Sequence, residues 1–86
     1  MIDLYADVLD ELRRVAKADL EFDGSIEPSH ALQGDLQFDS MAMIVVAVAL
    51  ENRFKVRLRE EDAGGISTVD DLVKLVCRRV EEQAPE

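Results

Sequence analysis

The chain has 86 residues, of which 48% are hydrophobic and 34% charged, and its formal net charge is −9 at pH 7. This length has room for one modest hydrophobic core, so residues 1–86 are expected to form a single domain. Ten acidic residues precede Ser40 and nine follow Leu50. Such a spread argues against a basic clamp for phosphates, and hence against nucleic-acid binding. It favours transient docking to partners that carry basic patches.

The cysteine content and the apolar runs limit the cellular context. A single cysteine, Cys77, excludes an internal disulfide and a multi-cysteine metal site, and its apolar neighbours favour a small buried side chain. The longest apolar run, residues 41–50, has ten members, whereas a bilayer-spanning helix needs ~20. The N-terminus lacks a secretory pattern. We therefore expect a soluble, monomeric, cytoplasmic protein without membrane insertion.

The first half of the chain predicts one helix and one long loop. Residues 3 to about 18 carry apolar side chains every three or four positions, and Asp3 can cap the helix start. Residues 19–39 contain turn-forming glycine and proline without sustained periodicity. Loops of this length are uncommon in compact domains and are often functional. Five apolar side chains are expected to hold the loop against the core: Phe22, Ile26, Leu32, Leu36 and Phe38.

A second helix is predicted from residue 40 to about residue 53. On local chemistry alone, Asp39-Ser40 is a plain helix cap. The ten apolar residues that follow leave no polar face for almost three turns, and a bundle of this size cannot cover a helix on every side. Part of this helix should therefore be exposed, as a docking surface or a dimer interface. The candidates for exposure are Met41, Ala42, Ile44, Val45 and Val48.

The last third of the chain predicts a connector and two further helical segments. Residues 55–59 alternate and are interpreted as an extended connector with Val56 and Leu58 turned inward. Residues 60–63 should form one short helical turn, and Ser67-Thr68 should open the last helix. Four cations near the connector form a basic strip, whose simplest interpretation is a solvated face: Arg53, Lys55, Arg57 and Arg59.

These elements predict an all-α fold. It is a small four-helix bundle, with three main helices, one short helix and a long loop between helices 1 and 2. No catalytic constellation accompanies it. There is one histidine, His30, and no serine-nucleophile turn, glycine-rich phosphate loop or metal-ligand spacing. A non-enzyme is expected, and an acidic helical protein-interaction domain is one open interpretation.

A signature around Ser40 provides a second interpretation. The run from Asp35 to Met41, Asp-Leu-Gln-Phe-Asp-Ser-Met, resembles the Asp-Leu-Gly-x-Asp-Ser-Leu signature of the acyl carrier protein family. Ala49-Leu50-Glu51 and Phe54 also resemble the end of that family's second helix. The resemblance is close over residues 32–72 and looser over the rest of the chain.

The resemblance implies a covalent cofactor. Ser40 would carry a 4′-phosphopantetheine arm, transferred from coenzyme A by a carrier-protein synthase (a phosphopantetheinyl transferase). Asp39 would help this synthase to recognise the site. The thiol of the arm would hold acyl groups as thioesters for acyl-transferring, ketosynthase-type or ligase enzymes. The apolar interior would shelter the acyl chain in a pocket formed by Phe38, Val46, Ala47, Leu50, Phe54, Leu58, Ala63, Ile66 and Leu72.

The departures from the family pattern indicate a specialised member. Carrier proteins usually keep acidic residues along the second helix, where Ala42 and Val45 stand in this chain. We therefore expect docking through apolar contacts, with Met41 and Ile44 as further members of that surface. The replacement of glycine by Gln37 is expected to be mild. Fatty-acid, polyketide, modified-lipid and aminoacyl (peptidyl-type) pathways all remain open.

Overall fold

A computed structural model describes residues 3–83, apart from the side chains of Glu60 and Ala63. Within that range the regular elements are helical, and the predicted all-α class is confirmed. In chain order they are α1 (Leu4–Asp19), α2 (Ser40–Phe54), the single turn α3 (Glu60–Ala63) and α4 (Val69–Gln83). An isolated bridge between Ala31 and Thr68 is the one β-type pairing in the described part.

The core lies between the three long helices, and α1 packs against both α2 and α4. Each helix contributes side chains that are fully removed from water, at a gain of about 1.5–3 kcal/mol per large aliphatic side chain. The largest of them are Val8, Leu12 and Val15 from α1, Val46 and Leu50 from α2, and Val69, Leu72, Val73 and Val76 from α4. The apolar spacing that predicted each helix therefore also defines its inward face.

The loop between α1 and α2 is held to the core by apolar side chains, as predicted. Ile26, Leu32, Leu36 and Phe38 are buried, and Phe22 packs edge-to-face on Phe38 with ring centroids 5.7 Å apart. Such aromatic pairs add about 0.5–1.5 kcal/mol beyond their burial. The long loop is thus a packed segment of the domain.

Backbone hydrogen bonds join this loop to the start of α4. The amide of Val69 donates to the carbonyl of His30, and the amide of Asp70 donates to that of Pro28, both over 2.9 Å. These carbonyls satisfy two of the N–H groups that a helix N-terminus leaves unpaired. His30 therefore lies in a structural turn, where its Nδ1 accepts the amide of Glu27 over 3.1 Å.

A reciprocal cap starts α4 at the predicted place. Asp71 donates its backbone N–H to Thr68 Oγ1 over 3.1 Å, and its carboxylate accepts the N–H of Thr68 over 3.1 Å. This is a capping box, and it makes Ser67-Thr68 the entry to the helix. Hydrogen bonds from the backbone of Ser67 and Thr68 hold the pKa of Asp71 below its usual value.

The connector between α2 and α3 is extended, as the alternating pattern predicted. Val56 is buried and Leu58 is half-buried. The carboxylate of Glu51 on α2 accepts the amide of Leu58 over 2.7 Å. Further along, Asp62 of α3 pairs with Arg79 of α4 over 2.6 Å. Both ends of the connector are therefore attached to long helices.

Candidate functional site

Asp39 is the residue that caps α2. Its backbone is extended, with φ −82° and ψ −174°, and its Oδ1 accepts the amide of Ala42 over 2.8 Å. Ser40 is then the first residue of the helix. The interpretation of the Asp39-Ser40 pair as a cap holds for the aspartate alone, because the serine side chain takes no part in it. The serine is thereby available for another role.

The Ser40 hydroxyl lies exposed at the N-terminal end of α2. Within residues 3–83, neither this hydroxyl nor the backbone N–H groups of Ser40 and Met41 make a hydrogen bond. A helix N-terminus carries partial positive charge, and free N–H groups there bind phosphate oxygens. The site therefore suits a phosphate ester on Ser40.

Hydrogen bonds in the preceding loop fix the position of Ser40. The carboxylate of Asp35 accepts the amide of Ala31 over 2.7 Å, and the amide of Phe38 donates to the carbonyl of Leu32 over 2.9 Å. Gln37 lies between them with φ 59°, in the left-handed region that favours glycine. The family's glycine at this position therefore has a conformational reason, which the expectation of a mild replacement overlooked.

A surface groove of ≈ 540 Å³ runs beside Ser40. Three segments form it: the loop before α2, the first turns of α2, and the residues that precede α4. Its lining consists of Ala31, Leu32, Gln33, Gly34, Ser40, Met43, Ile44, Ile66 and Ser67. The groove is mostly apolar, so it can accept an aliphatic or amide-bearing chain that starts at Ser40.

Sequence reasoning had placed only part of this groove. Ile66 was predicted to line an acyl pocket and Ile44 to dock partners, whereas Leu32 and Met43 were assigned no functional role. A signal for Met43 was present, because it follows Ser40 by three residues and lies on the same helix face. No comparable signal identified Leu32, since the loop brings it to the groove only after folding.

Six of the other predicted acyl-pocket residues lie in or against the core. Phe38, Val46, Leu50 and Leu72 are buried among the helices. Ala47, Phe54 and Leu58 are half-buried. The side chain of Ala63 falls outside the described part of the chain. The six residues in or against the core belong to the interior of the bundle, whereas the groove opens on the surface beside Ser40.

The predicted exposure of α2 is confirmed at three positions. Met41, Ile44 and Val48 are 67%, 57% and 47% exposed. They follow one another at steps of three and four residues and so share one face of the helix, here called the apolar stripe. Ala42 and Val45 are half-buried and pack against the core. Of the four predicted docking residues, Met41 and Ile44 therefore present the largest free surface.

Acidic side chains are nearly absent from α2. Its first turn has none, and its one acidic residue, Glu51, is engaged with the amide of Leu58. The surface that follows Ser40 is therefore apolar in a chain that is otherwise strongly acidic. Within residues 3–83, no group of three or more metal-ligating side chains comes together. No helix in this range combines the length and apolarity needed to cross a membrane.

Comparison with known proteins now identifies the family. A family model described as a phosphopantetheine attachment site matches residues 6–76. The chain belongs to this family of acyl carrier proteins. Membership implies a covalently attached 4′-phosphopantetheine, which agrees with the phosphate-compatible end of α2.

Curated relatives and one solved structure agree with this assignment. Over 61 residues, the chain is 36% identical to the meromycolate extension acyl carrier protein of Mycobacterium leprae and 34% identical to that of Mycolicibacterium aurum. The aligned region covers 71% of this chain, but 52% and 62% of those relatives. The chain thus spans little more than half the length of the curated relatives it matches. An acyl carrier protein structure from Thermotoga maritima shares the fold, with a TM-score of 0.84 over 93% of this chain and 94% of that one, at 22% identity.

Proposed function

We propose that this protein is an acyl carrier whose 4′-phosphopantetheine is attached at Ser40 Oγ. The observation that carries the proposal is the exposed, unpaired hydroxyl of Ser40 at the N-terminus of α2, inside the segment that matches the family. The hydroxyl oxygen would lose its proton and form the new bond to the pantetheine-side phosphorus of the coenzyme A diphosphate. The bond from that phosphorus to the bridging oxygen would break, and 3′,5′-ADP would leave. The domain itself carries the group and performs no catalysis.

The residues around Ser40 have separate roles in this proposal. The N–H groups of Ser40 and Met41 would hold the phosphate, and the helix dipole would favour its negative charge. Asp39 holds the first turn of α2 in place through Ala42, and its carboxylate is a recognition element for the synthase. When bound, the cofactor supplies a thiol that holds the acyl group as a thioester. Tethering raises the local concentration of that group at each partner enzyme.

We assign partner docking to the face of α2 that follows Ser40. Met41 and Ile44 supply exposed apolar area, while Ala42 and Val45 fill the space between them and the core. The partners are the synthase and acyl-transferring, ketosynthase-type or ligase enzymes. Because this face lacks acidic side chains, the part of the docking that it provides depends on apolar contact and is weakly sensitive to salt.

The proposed cargo is an aliphatic acyl group. Two observations support it: the relatives are named meromycolate extension acyl carrier proteins, and the groove beside Ser40 is mainly apolar. The arm would start along the groove, past Met43 and Ile66. A long chain would continue between the helices toward Leu50 and Phe54 if α3 moves aside. We assign the single turn α3, attached to α4 through Asp62 and Arg79, as the fourth helix of the bundle.

The attachment site is tested by intact mass after incubation with coenzyme A and a promiscuous phosphopantetheinyl transferase. The wild-type protein should gain the mass of one phosphopantetheine, and Ser40→Ala should gain none. Ser67→Ala is the matched control, because Ser67 lines the same groove and its hydroxyl is bonded to Asp71 over 3.1 Å. A gain on Ser40→Ala would place the attachment at another residue, and its absence from the wild type would leave the protein-interaction domain as the better interpretation.

The acyl-pocket proposal needs its own measurement. Protein loaded with a short and with a long acyl chain would be compared by amide chemical shifts. A long chain that enters the interior should perturb the amides around Leu50, Phe54 and Leu58, whereas a short chain should perturb only those around Met43 and Ile66. Identical shifts for both chain lengths would confine the cargo to the surface groove.

A further inference from the structure

Basic side chains are concentrated in one short segment of this acidic protein. Four of the ten Lys and Arg residues lie within residues 53–59, although the net charge is −9. These four residues are the predicted basic strip, called the basic edge from here on. All of them are exposed: Arg53, Lys55, Arg57 and Arg59. We propose that the basic edge is a second docking surface, which receives a carboxylate-rich surface of a partner protein.

The charges of the basic edge are largely unneutralised. Of the six basic residues elsewhere, four are paired with acids in the same molecule: Arg13 with Asp10 and Glu27, Arg14 with Glu11, Lys74 with Asp70, and Arg79 with Asp62 and Glu82. The other two, Lys17 and Arg78, have no ion pair among the described residues. Among the side chains that the structure describes, no ion pair involves Lys55, Arg57 or Arg59, and the charge of Arg59 acts on Asp62 only by helping to lower its pKa. Arg53 reaches Glu11 only at 4.0 Å, and Glu11 already pairs with Arg14 over 2.5 Å. The edge therefore presents charge that the chain itself does not satisfy.

The backbone places two of these cations on one side. Side chains at every second position of an extended segment share a face, so Arg57 and Arg59 lie opposite buried Val56. Lys55 precedes them as the exposed, left-handed residue that ends α2, with φ 58°. The amide of Leu58 is fixed by the Glu51 carboxylate over 2.7 Å. Pre-organised groups lose less entropy on binding than groups on a free loop. The edge is thus carried by a stretch of backbone that is held against α2.

A polar cleft of ≈ 450 Å³ lies beside the basic edge. Its lining consists of Glu51, Asn52, Lys55, Val56, Arg57 and Gln83. The carboxylate of Glu51 accepts the amide of Leu58, and the two cations outnumber this one anion, so the lining carries net positive charge with two amides as further donors. Charge-assisted hydrogen bonds from such donors suit a carboxylate side chain. The chemistry of the cleft therefore matches an Asp or Glu of a partner.

The position of the edge connects it to the proposed docking face. The apolar stripe ends at Val48, and the next residue on that face, Asn52, lines the cleft. Fifteen helical residues span about 22 Å, so the edge lies at the far end of α2 from Ser40. A partner that binds along the stripe would reach both ends. At physiological ionic strength the Debye length is about 8 Å, so acidic residues farther away are screened. The acids that oppose the four cations are those nearby in the chain, such as Glu51 and Glu61.

The test is a titration of 15N-labelled protein with a hexaglutamate peptide, followed by amide chemical shifts. Saturable shifts are expected at residues 51–59 and at Gln83. The double substitution Lys55→Glu with Arg57→Glu should raise the Kd about tenfold or more. The matched control, Lys17→Glu with Arg78→Glu, makes the same change in net charge at two exposed cations outside the cleft. It should change the Kd by less than about twofold.

Several outcomes would overturn the proposal. Equal weakening by the two double variants would attribute binding to net charge alone. Non-saturating shifts, or shifts centred elsewhere, would remove the cleft as a site. Tighter binding to phosphatidylglycerol vesicles, or displacement by inorganic phosphate at the same concentration as the peptide, would assign the cations to another anion. The mass test at Ser40 is independent, so either proposal can fail while the other stands.

Discussion

Tyr5 in the first turn of α1 donates its phenolic O–H to the Asp70 carboxylate in the first turn of α4, over 2.5 Å. The two residues are 65 positions apart in sequence, and their bond joins the N-terminal ends of two core helices. The hydrogen bond to Asp70, with burial, raises the pKa of Tyr5 to about 12. The same bond, followed by the bond to Lys74, lowers the pKa of Asp70.

This pair predicts a pH window for the effect of Tyr5→Phe. Because the pKa of Asp70 is lower in the folded state, the ionised carboxylate adds to the free energy of unfolding. This contribution is complete above the unfolded pKa of about 3.9 and is lost as pH falls through the folded value. Because the pKa of Tyr5 is higher in the folded state, the protonated phenol adds to the free energy of unfolding. This contribution is complete below the unfolded pKa of about 10 and is lost as pH rises through about 12.

The free energy of unfolding, measured by thermal unfolding, should therefore differ between wild type and Tyr5→Phe by a constant amount from about pH 5 to pH 9. The difference should shrink on both sides of this window. Lys74→Gln is the control, because it removes the exposed partner of Asp70, at 3.0 Å, and leaves the tyrosine bond intact. A Tyr5→Phe difference that stayed unchanged down to pH 2 would mean that the hydroxyl acts through something other than the Asp70 carboxylate.

Gln37 predicts a stabilising substitution. Its φ of 59° lies in the left-handed region, where a side chain is strained and glycine is not. Gln37→Gly should raise the free energy of unfolding by about 0.5–1 kcal/mol, which for a domain of this size raises the Tm by several degrees. Gln33→Gly is the matched control, since Gln33 is outside the positive-φ residues. It should lower the Tm slightly, and a gain at both positions would exclude local strain as the cause.

Asp39 allows its two proposed roles to be separated by two substitutions. Asp39→Ala removes the cap on Ala42 and should cost about 0.5–2 kcal/mol of stability. Asp39→Asn should retain the cap within a few tenths of a kcal/mol, because Asn caps about as well as Asp. If the carboxylate is read by the synthase, both variants should load phosphopantetheine more slowly. Normal loading of Asp39→Asn would restrict Asp39 to its structural role.

The fold could be predicted because most of its elements depend on local pattern. Apolar spacing placed the long helices within a residue or two of their observed bounds, and alternation placed Val56 and Leu58 inward. The site was only partly accessible to this reasoning. The apolar stripe follows from helical geometry, but the groove depends on the course of a loop. That course is set by the local bonds between Asp35 and Ala31 and by the long-range bond from the Leu32 amide to the Ser67 carbonyl. The strain at Gln37 is a backbone property that periodicity does not report.

The two faces of α2 predict opposite effects of truncation. Leu50 is fully buried, so Leu50→Ala should lower the free energy of unfolding by about 2–5 kcal/mol. Ile44 is exposed, so Ile44→Ala should change stability by less than about 0.5 kcal/mol. For loading by the synthase the order reverses. Under conditions where both variants are folded, Ile44→Ala should raise the KM of the synthase for this protein, whereas Leu50→Ala should leave that KM near the wild-type value. Urea unfolding and loading kinetics on the same samples measure both effects. A KM unchanged by Ile44→Ala would remove the apolar stripe from synthase docking, even if its exposure on α2 is correct.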